Sequence, residues 1–88
     1  MSIIDFDSAV EGVKQLLNRP ANDELLELYG LYKQSTVGDN DSTRPGFTDF
    51  AGKAKWEAWN KLKGTSQLEA QNRYIELANS LINRDRTS

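Results

Sequence analysis

Asn22-Asp23-Glu24-Leu25-Leu26-Glu27-Leu28-Tyr29-Gly30-Leu31-Tyr32-Lys33-Gln34-Ser35-Thr36-Val37-Gly38-Asp39 is the stretch from which the fold is read. Leu25, Leu26, Leu28, Tyr29, Leu31 and Tyr32 recur with helical spacing, and they cover more of the circumference than a single buried face needs. A helix with so broad an apolar stripe meets more than one neighbour. Asn22 suits an N-cap, and Asp23 and Glu24 suit the positive end of the helix dipole. The pattern fades at Thr36-Val37, before Gly38.

Beyond Gly38 lies a long polar connection. Gly38-Asp39-Asn40-Asp41-Ser42 and Arg44-Pro45-Gly46 are turn-rich clusters, and no periodic pattern resumes until about Phe50 or Gly52. A connection of about a dozen residues is long for a compact domain. It allows an overhand crossing between helices where a tight hairpin would otherwise be expected.

Three more amphipathic patterns flank this centre. Upstream, Phe6, Ala9, Val10, Val13, Leu16 and Leu17 form one stripe that ends before Pro20, with Asp5 and Asp7 at its start. Downstream, a third helix runs to Lys63, with Gly64 as its C′ residue. A fourth starts at Ser66-Gln67-Leu68-Glu69, a capping-box pattern, and continues as Ala70, Tyr74, Leu77, Ala78 and Leu81. It is expected to fray into the polar tail from Asn83. There is no strand alternation, so the fold class is all-α with four helices, in a single domain over residues 1–88.

Composition narrows the chemistry. The chain has 88 residues with no Cys and no His. Thiol catalysis and disulfides are excluded, and the commonest general base and metal ligand are missing. The net charge of −2 is unevenly spread. The first fifty residues carry four Lys/Arg against nine Asp/Glu, a net −5, and the remainder seven against four, a net +3. That balance argues against a generic nucleic-acid binder. No apolar run approaches the roughly 20 residues of a membrane span, and the start lacks a secretory pattern. The expectation is a cytoplasmic protein without stable membrane insertion.

Two apparent motifs fail. Gly46 to Lys53 has the wrong glycine spacing for a phosphate loop, and Ala54 follows the lysine where Ser or Thr belongs. Asp39-Asn40-Asp41 opens like a calcium loop, but Arg44 and Phe50 occupy the positions of the required Gly and Glu. No catalytic constellation, metal site or cofactor is indicated.

Lysines beside aromatic rings carry more information. With Leu25 as zero, Tyr32 falls at about 340°, Tyr29 at about 40° and Lys33 at about 80° around the helix. On the third helix Lys55, Trp59 and Leu62 share a stripe, with Trp56 on its flank. Each lysine alone reads as a snorkelling side chain. Together they also fit an anion site with ring faces and hydroxyl donors. Tyr74 falls on a core stripe, and Lys14 flanks the first stripe as a solvated edge.

At these residues the chain resembles the acyl-CoA-binding protein family. The resemblance runs from Phe6 to about Leu81. It rests on Tyr29-Gly30-Leu31-Tyr32-Lys33-Gln34-Ser35-Thr36-Val37-Gly38-Asp39, on Arg44-Pro45-Gly46, on Lys53-Ala54-Lys55-Trp56-Glu57-Ala58-Trp59 and on Leu62-Lys63-Gly64-Thr65-Ser66. It implies a four-helix bundle of up-down-down-up topology that binds fatty acyl-CoA esters reversibly and does no chemistry on them.

Carried over by resemblance, Tyr29, Lys33 and Lys55 hold the ribose 3′-phosphate and adjoining nucleotide, and Tyr32 and Tyr74 contact the adenine and ribose. Ala9, Val13, Leu25, Leu26 and Trp56 are apolar walls, and Lys14 lies near the phosphates. The resemblance also implies a monomer with transient contacts to acyl-CoA-using enzymes. Ser35 stands where the family most often has Ala, Ala51 where many members carry a lysine, and the tail lacks a lysine-rich ending. The residues alone also fit a helical interaction module that uses the Trp/Lys patch.

Overall fold

The computed structural model describes residues 5–87, and within them the chain forms four helices and no strand: α1 (Phe6–Lys14), α2 (Asn22–Thr36), α3 (Phe50–Asn60) and α4 (Gln67–Thr87). Their relative directions are set by pairs of contacts. Phe6 meets Tyr74 with ring centroids 5.1 Å apart, and the residues after α1, Leu17 and Asn18, meet Asp85. Both helices therefore advance in the same direction. Glu24 at the start of α2 meets Arg84 late in α4, whereas Ser35 near the end of α2 meets Gln67 at the start of α4. α2 and α4 are antiparallel. Tyr29 faces Lys55, Gly30 faces Ala58 and Lys33 faces Trp59, so α2 and α3 run parallel. The result is the up-down-down-up order, with α2 packed on both α3 and α4 and α1 packed on α4.

α2 is central for the reason its sequence suggests. Leu28 and Leu31 are buried in one core with Leu62, Tyr74, Ala78 and Leu81. Fully burying a side chain such as Leu31 contributes about 1.5–3 kcal/mol. Gly30 lies on the other contact of α2, against α3. A Cβ at that position would sit 2.5 Å from the Ala58 carbonyl oxygen and 2.9 Å from its carbon. Only hydrogen fits there.

Two parallel helices cannot be joined by a tight turn, so residues 37–49 cross back along α3. The Trp59 indole N–H donates to the Gly38 carbonyl at 2.8 Å, and the Trp56 indole N–H to the Ser42 carbonyl at 3.1 Å. Asn40, 2% exposed, donates to the Trp56 carbonyl and accepts from the Ser42 amide. These bonds make the long connection an ordered strap, consistent with the rarity of long structureless loops in compact domains.

Helix ends agree with the sequence at two places. Ser66 Oγ accepts from the Glu69 amide at 3.0 Å, as expected of a cap, and Gly64 adopts φ 91°, which favours glycine. Elsewhere they differ. α2 begins at Asn22 with Ala21 as its N-cap, because Glu24 reaches back to accept the Ala21 amide at 3.0 Å. α3 ends at Asn60, and residues 61–64 close it as turns.

α1 stops at Lys14, leaving Leu17 87% exposed, and α4 continues through Asn83 to Thr87 instead of fraying. One arrangement accounts for both differences. The Asp85 carboxylate accepts the amides of Leu17 and Asn18, each at 2.9 Å, in place of the carbonyls of α1. Beside it, Arg84 donates two bonds to Glu24, at 3.0 and 2.9 Å.

Replacing Gly30 with Ala should destabilise the protein by about 1–3 kcal/mol in urea unfolding, although Ala is intrinsically the better helix former. The Asp85 interactions are pH-dependent. Hydrogen bonds from the Leu17 and Asn18 amides hold its carboxyl below the ordinary value for Asp, and Arg84 and the Ala21 amide hold the Glu24 carboxyl below the ordinary value for Glu. Because both groups are depressed on folding, their stabilisation is complete above the ordinary carboxylate range and is lost as pH falls through the folded values. The Leu17 and Asn18 amide resonances should shift over that acid range in the wild type, and Asp85→Asn should shift them already at pH 7.

Candidate functional site

The parallel register of α2 and α3 sets two residue pairs against each other. On α2, Tyr29 and Lys33 are one turn apart. On α3, Lys55 and Trp59 are one turn apart. Across the seam, the Lys55 ammonium lies 5.6 Å from the centre of the Tyr29 ring, and the Lys33 ammonium 4.8 Å from the Trp59 ring. Each such contact contributes about 0.5–1 kcal/mol at an exposed site.

Neither lysine has a carboxylate within 4.0 Å among the described residues, whose ion pairs are Lys14–Glu11, Arg44–Glu57 and Arg84–Glu24. Nearby Asp39 faces elsewhere. It accepts from the Gly64 amide at 3.0 Å and the Gln34 side chain at 2.8 Å, and these bonds lower its pKa. The seam thus presents two ammonium groups and two ring systems with no fixed counter-charge.

Next to it opens a cleft of about 380 Å³, lined by Arg19, Asn22, Leu25, Leu26, Tyr29, Ala51, Ala54 and Lys55. Its walls are mostly apolar. Tyr29 and Lys55 belong to both the seam and the cleft. Such a site can seat an anionic group at the lysines and an apolar group beside it, a pattern typical of small-molecule pockets.

The family model described as "Acyl CoA binding protein" matches residues 4–78. The chain belongs to the acyl-CoA-binding protein family. It is 54% identical over 77 residues to the Drosophila melanogaster "Acyl-CoA-binding protein homolog", covering 88% of this chain and 90% of that one. It is 51% identical over 77 residues to "Acyl-CoA-binding protein 2" of Saccharomyces pastorianus, covering 88% of each. Among solved structures, the Oryza sativa acyl-CoA-binding protein 2 superposes with a TM-score of 0.89 at 37% identity, covering 92% of this chain and 88% of that one. A solution structure of an acyl coenzyme A binding protein from yeast superposes with a TM-score of 0.72 at 49% identity, covering 90% of this chain and 92% of that one.

The structure brings only some of the family-implied residues together. Tyr29, Leu25, Leu26 and Lys55 share the cleft, and Lys33 is adjacent along the seam. Tyr32 and Lys14 lie on a second groove of about 290 Å³ between α1 and α2, with Phe6, Val10 and Thr36. There Phe6 stacks on Tyr32 at 5.9 Å, and Lys14 is 3.5 Å from Glu11. Tyr74 packs beneath them, 4% exposed, and burial raises its hydroxyl pKa. Val13 packs against the core from its edge, while Ala9 is wholly buried and offers no surface to either groove. Trp56 stands apart from the cleft, held by the Ser42 carbonyl with the Arg44 guanidinium 5.9 Å from its ring centre.

Sequence reasoning does not single out Arg19, Asn22 or Ala54 as cleft residues, and it marks Ala51 only for the lysine missing there. Ala51, Ala54 and Lys55 do share one helical face, so that part is accessible from spacing. Arg19 lies outside any helix and carries no periodic signal. Since the seam lysines make no ion pair among the described residues, Lys33→Ala and Lys55→Ala should each change the unfolding free energy by less than about 1 kcal/mol in denaturant titration.

Proposed function

We propose that this protein reversibly binds long-chain fatty acyl-CoA esters, without chemical conversion, as a cytoplasmic carrier and pool former. The observation that carries the reading is a pair of ammonium groups, with no carboxylate partner among the described residues, stationed over aromatic rings beside an apolar cleft. An acyl-CoA has the matching parts: an anionic nucleotide and an apolar tail. The relatives, named as acyl-CoA-binding proteins, support the same reading.

In this reading Lys33, Lys55 and Tyr29 hold the ribose 3′-phosphate and its nucleotide. Ammonium groups serve as point-charge phosphate donors, and Tyr29 adds a ring face and a hydroxyl. Tyr32, with Lys14 on the same groove, extends the polar contact surface toward α1, with Tyr74 supporting the Tyr32 ring from below. Leu25 and Leu26 wall the acyl chain. Each methylene buried contributes at most about 0.8 kcal/mol, offset in part by ordering the chain. The acyl chain therefore sets much of the affinity, and the head group fixes position. The protein acts as a monomer and hands its ligand over through transient contacts with acyl-CoA-using enzymes.

Calorimetric titration should show far tighter binding of palmitoyl-CoA than of free CoA or palmitate. Equal affinity for palmitate and palmitoyl-CoA would overturn the nucleotide anchor. Lys33→Ala and Lys55→Ala should each weaken palmitoyl-CoA binding roughly ten- to a hundredfold. Removing the ligand's 3′-phosphate should mimic that loss, and the two losses should not add.

A further inference from the structure

The cleft beside the seam carries a cation at each end. Lys55 and Tyr29 lie where it joins the seam. Arg19 lies at the opposite end, in the link between α1 and α2. Between them stand Leu25, Leu26, Ala51 and Ala54. From Tyr29 back to Asn22 is seven residues of α2, about 10 Å of helix at 1.5 Å per residue. The nucleotide anchor accounts for Lys55 but leaves Arg19 without an assignment.

Asp85, which shares a groove with Arg19, and several carboxylates on the segments that line the cleft have partners of their own. Glu24 accepts from Arg84 and from the Ala21 amide. Asp85 accepts the amides of Leu17 and Asn18, which fixes the link just ahead of Arg19. Asp23 accepts the Glu24 amide, and Asp49 the Gly52 amide. Arg19 has no carboxylate within 4.0 Å among the described residues, where the ion pairs involve other side chains. Across the cleft stands Ala51, which offers neither a charge nor bulk.

We propose that Arg19 pairs with an anion on the far end of the acyl group, so that the ligands of this protein include CoA thioesters of α,ω-dicarboxylic acids. The inference rests on the acyl-CoA reading of the site. A guanidinium holds a carboxylate through two parallel hydrogen bonds, a geometry that an ammonium cannot offer. A chain ending in methyl leaves Arg19 in water, with its stem against the apolar wall. A chain ending in carboxylate reaches the same place and gives Arg19 a partner that no carboxylate among the described residues supplies. The small side chains of Ala51 and Ala54 leave room for the chain end to approach.

The test compares lauroyl- and palmitoyl-CoA with the mono-CoA thioesters of dodecanedioic and hexadecanedioic acid, by calorimetry on wild type, Arg19→Ala and Arg19→Gln. Any affinity the variants lose for the methyl-ended ligands, through the Arg19 stem on the cleft wall, sets the reference for the comparison. Beyond that reference, both variants should lose roughly five- to tenfold in affinity for at least one dicarboxylic thioester. Methyl esterification of that ligand's free carboxyl should abolish this further difference between wild type and variants. If the ratio of dicarboxylic to methyl-ended affinity is the same in all three proteins at both lengths, Arg19 does not read the chain end and the proposal is overturned. Failure of wild type to bind palmitoyl-CoA at all would instead overturn the acyl-CoA reading itself.

Discussion

The contact between Gly30 of α2 and the backbone of Ala58 in α3 sets the geometry on which the rest depends. A side chain at position 30 would force these helices apart, since its first carbon would overlap the Ala58 carbonyl. With hydrogen there, two parallel helices approach closely, and their register is fixed at one point. One residue before Gly30 stands Tyr29, and three after it Lys33. Lys55 and Trp59 stand on either side of Ala58. The crossed pairing of lysines and rings is thus the consequence of one close approach between helices that run the same way.

That shared direction has its own requirement. The chain must return the length of a helix before α3 can begin, and the returning segment has to satisfy its backbone without a regular partner. Trp56, Trp59 and Asn40 supply much of what is needed, binding the carbonyls of Ser42 and Gly38 and the amide of Ser42. Trp59 thereby has two roles. Its N–H fastens the strap, and its ring face receives the Lys33 ammonium. The structural connection and the polar seam meet in one side chain.

The four helices, the long connection, the Ser66 cap and the Gly64 turn are legible in the sequence because each depends on residues close to one another along the chain. Tyr29 and Lys33 on α2, and Lys55 on α3, are each legible beside an apolar stripe from helical spacing, but their meeting across the seam depends on the register of the two helices. The ends of α1 and α4 are not legible, because they are decided by Asp85 acting on Leu17 and Asn18 across nearly the whole chain. Periodicity also shows that a residue is inward-facing without showing what covers it. Ala9 and Trp56 illustrate this: one is sealed within the core, the other is claimed by the strap. Gly30 carries a sign, a glycine within an otherwise strong helix, but its partner Ala58 is not identifiable from α2 alone.

The attachment of α4 to the link after α1 has a consequence for biosynthesis. Ribosomes deliver α1 first and residues 84 and 85 last among the groups involved, so the Leu17 and Asn18 amides wait through the synthesis of every intervening helix. α2 and α3 can pair earlier, because Gly30, Ala58 and the strap all lie within one shorter segment. Contacts of such long sequence separation slow folding. Closing the polar seam thus spans a shorter loop than placing Arg19, which depends on residues 84 and 85 at the far end of α4.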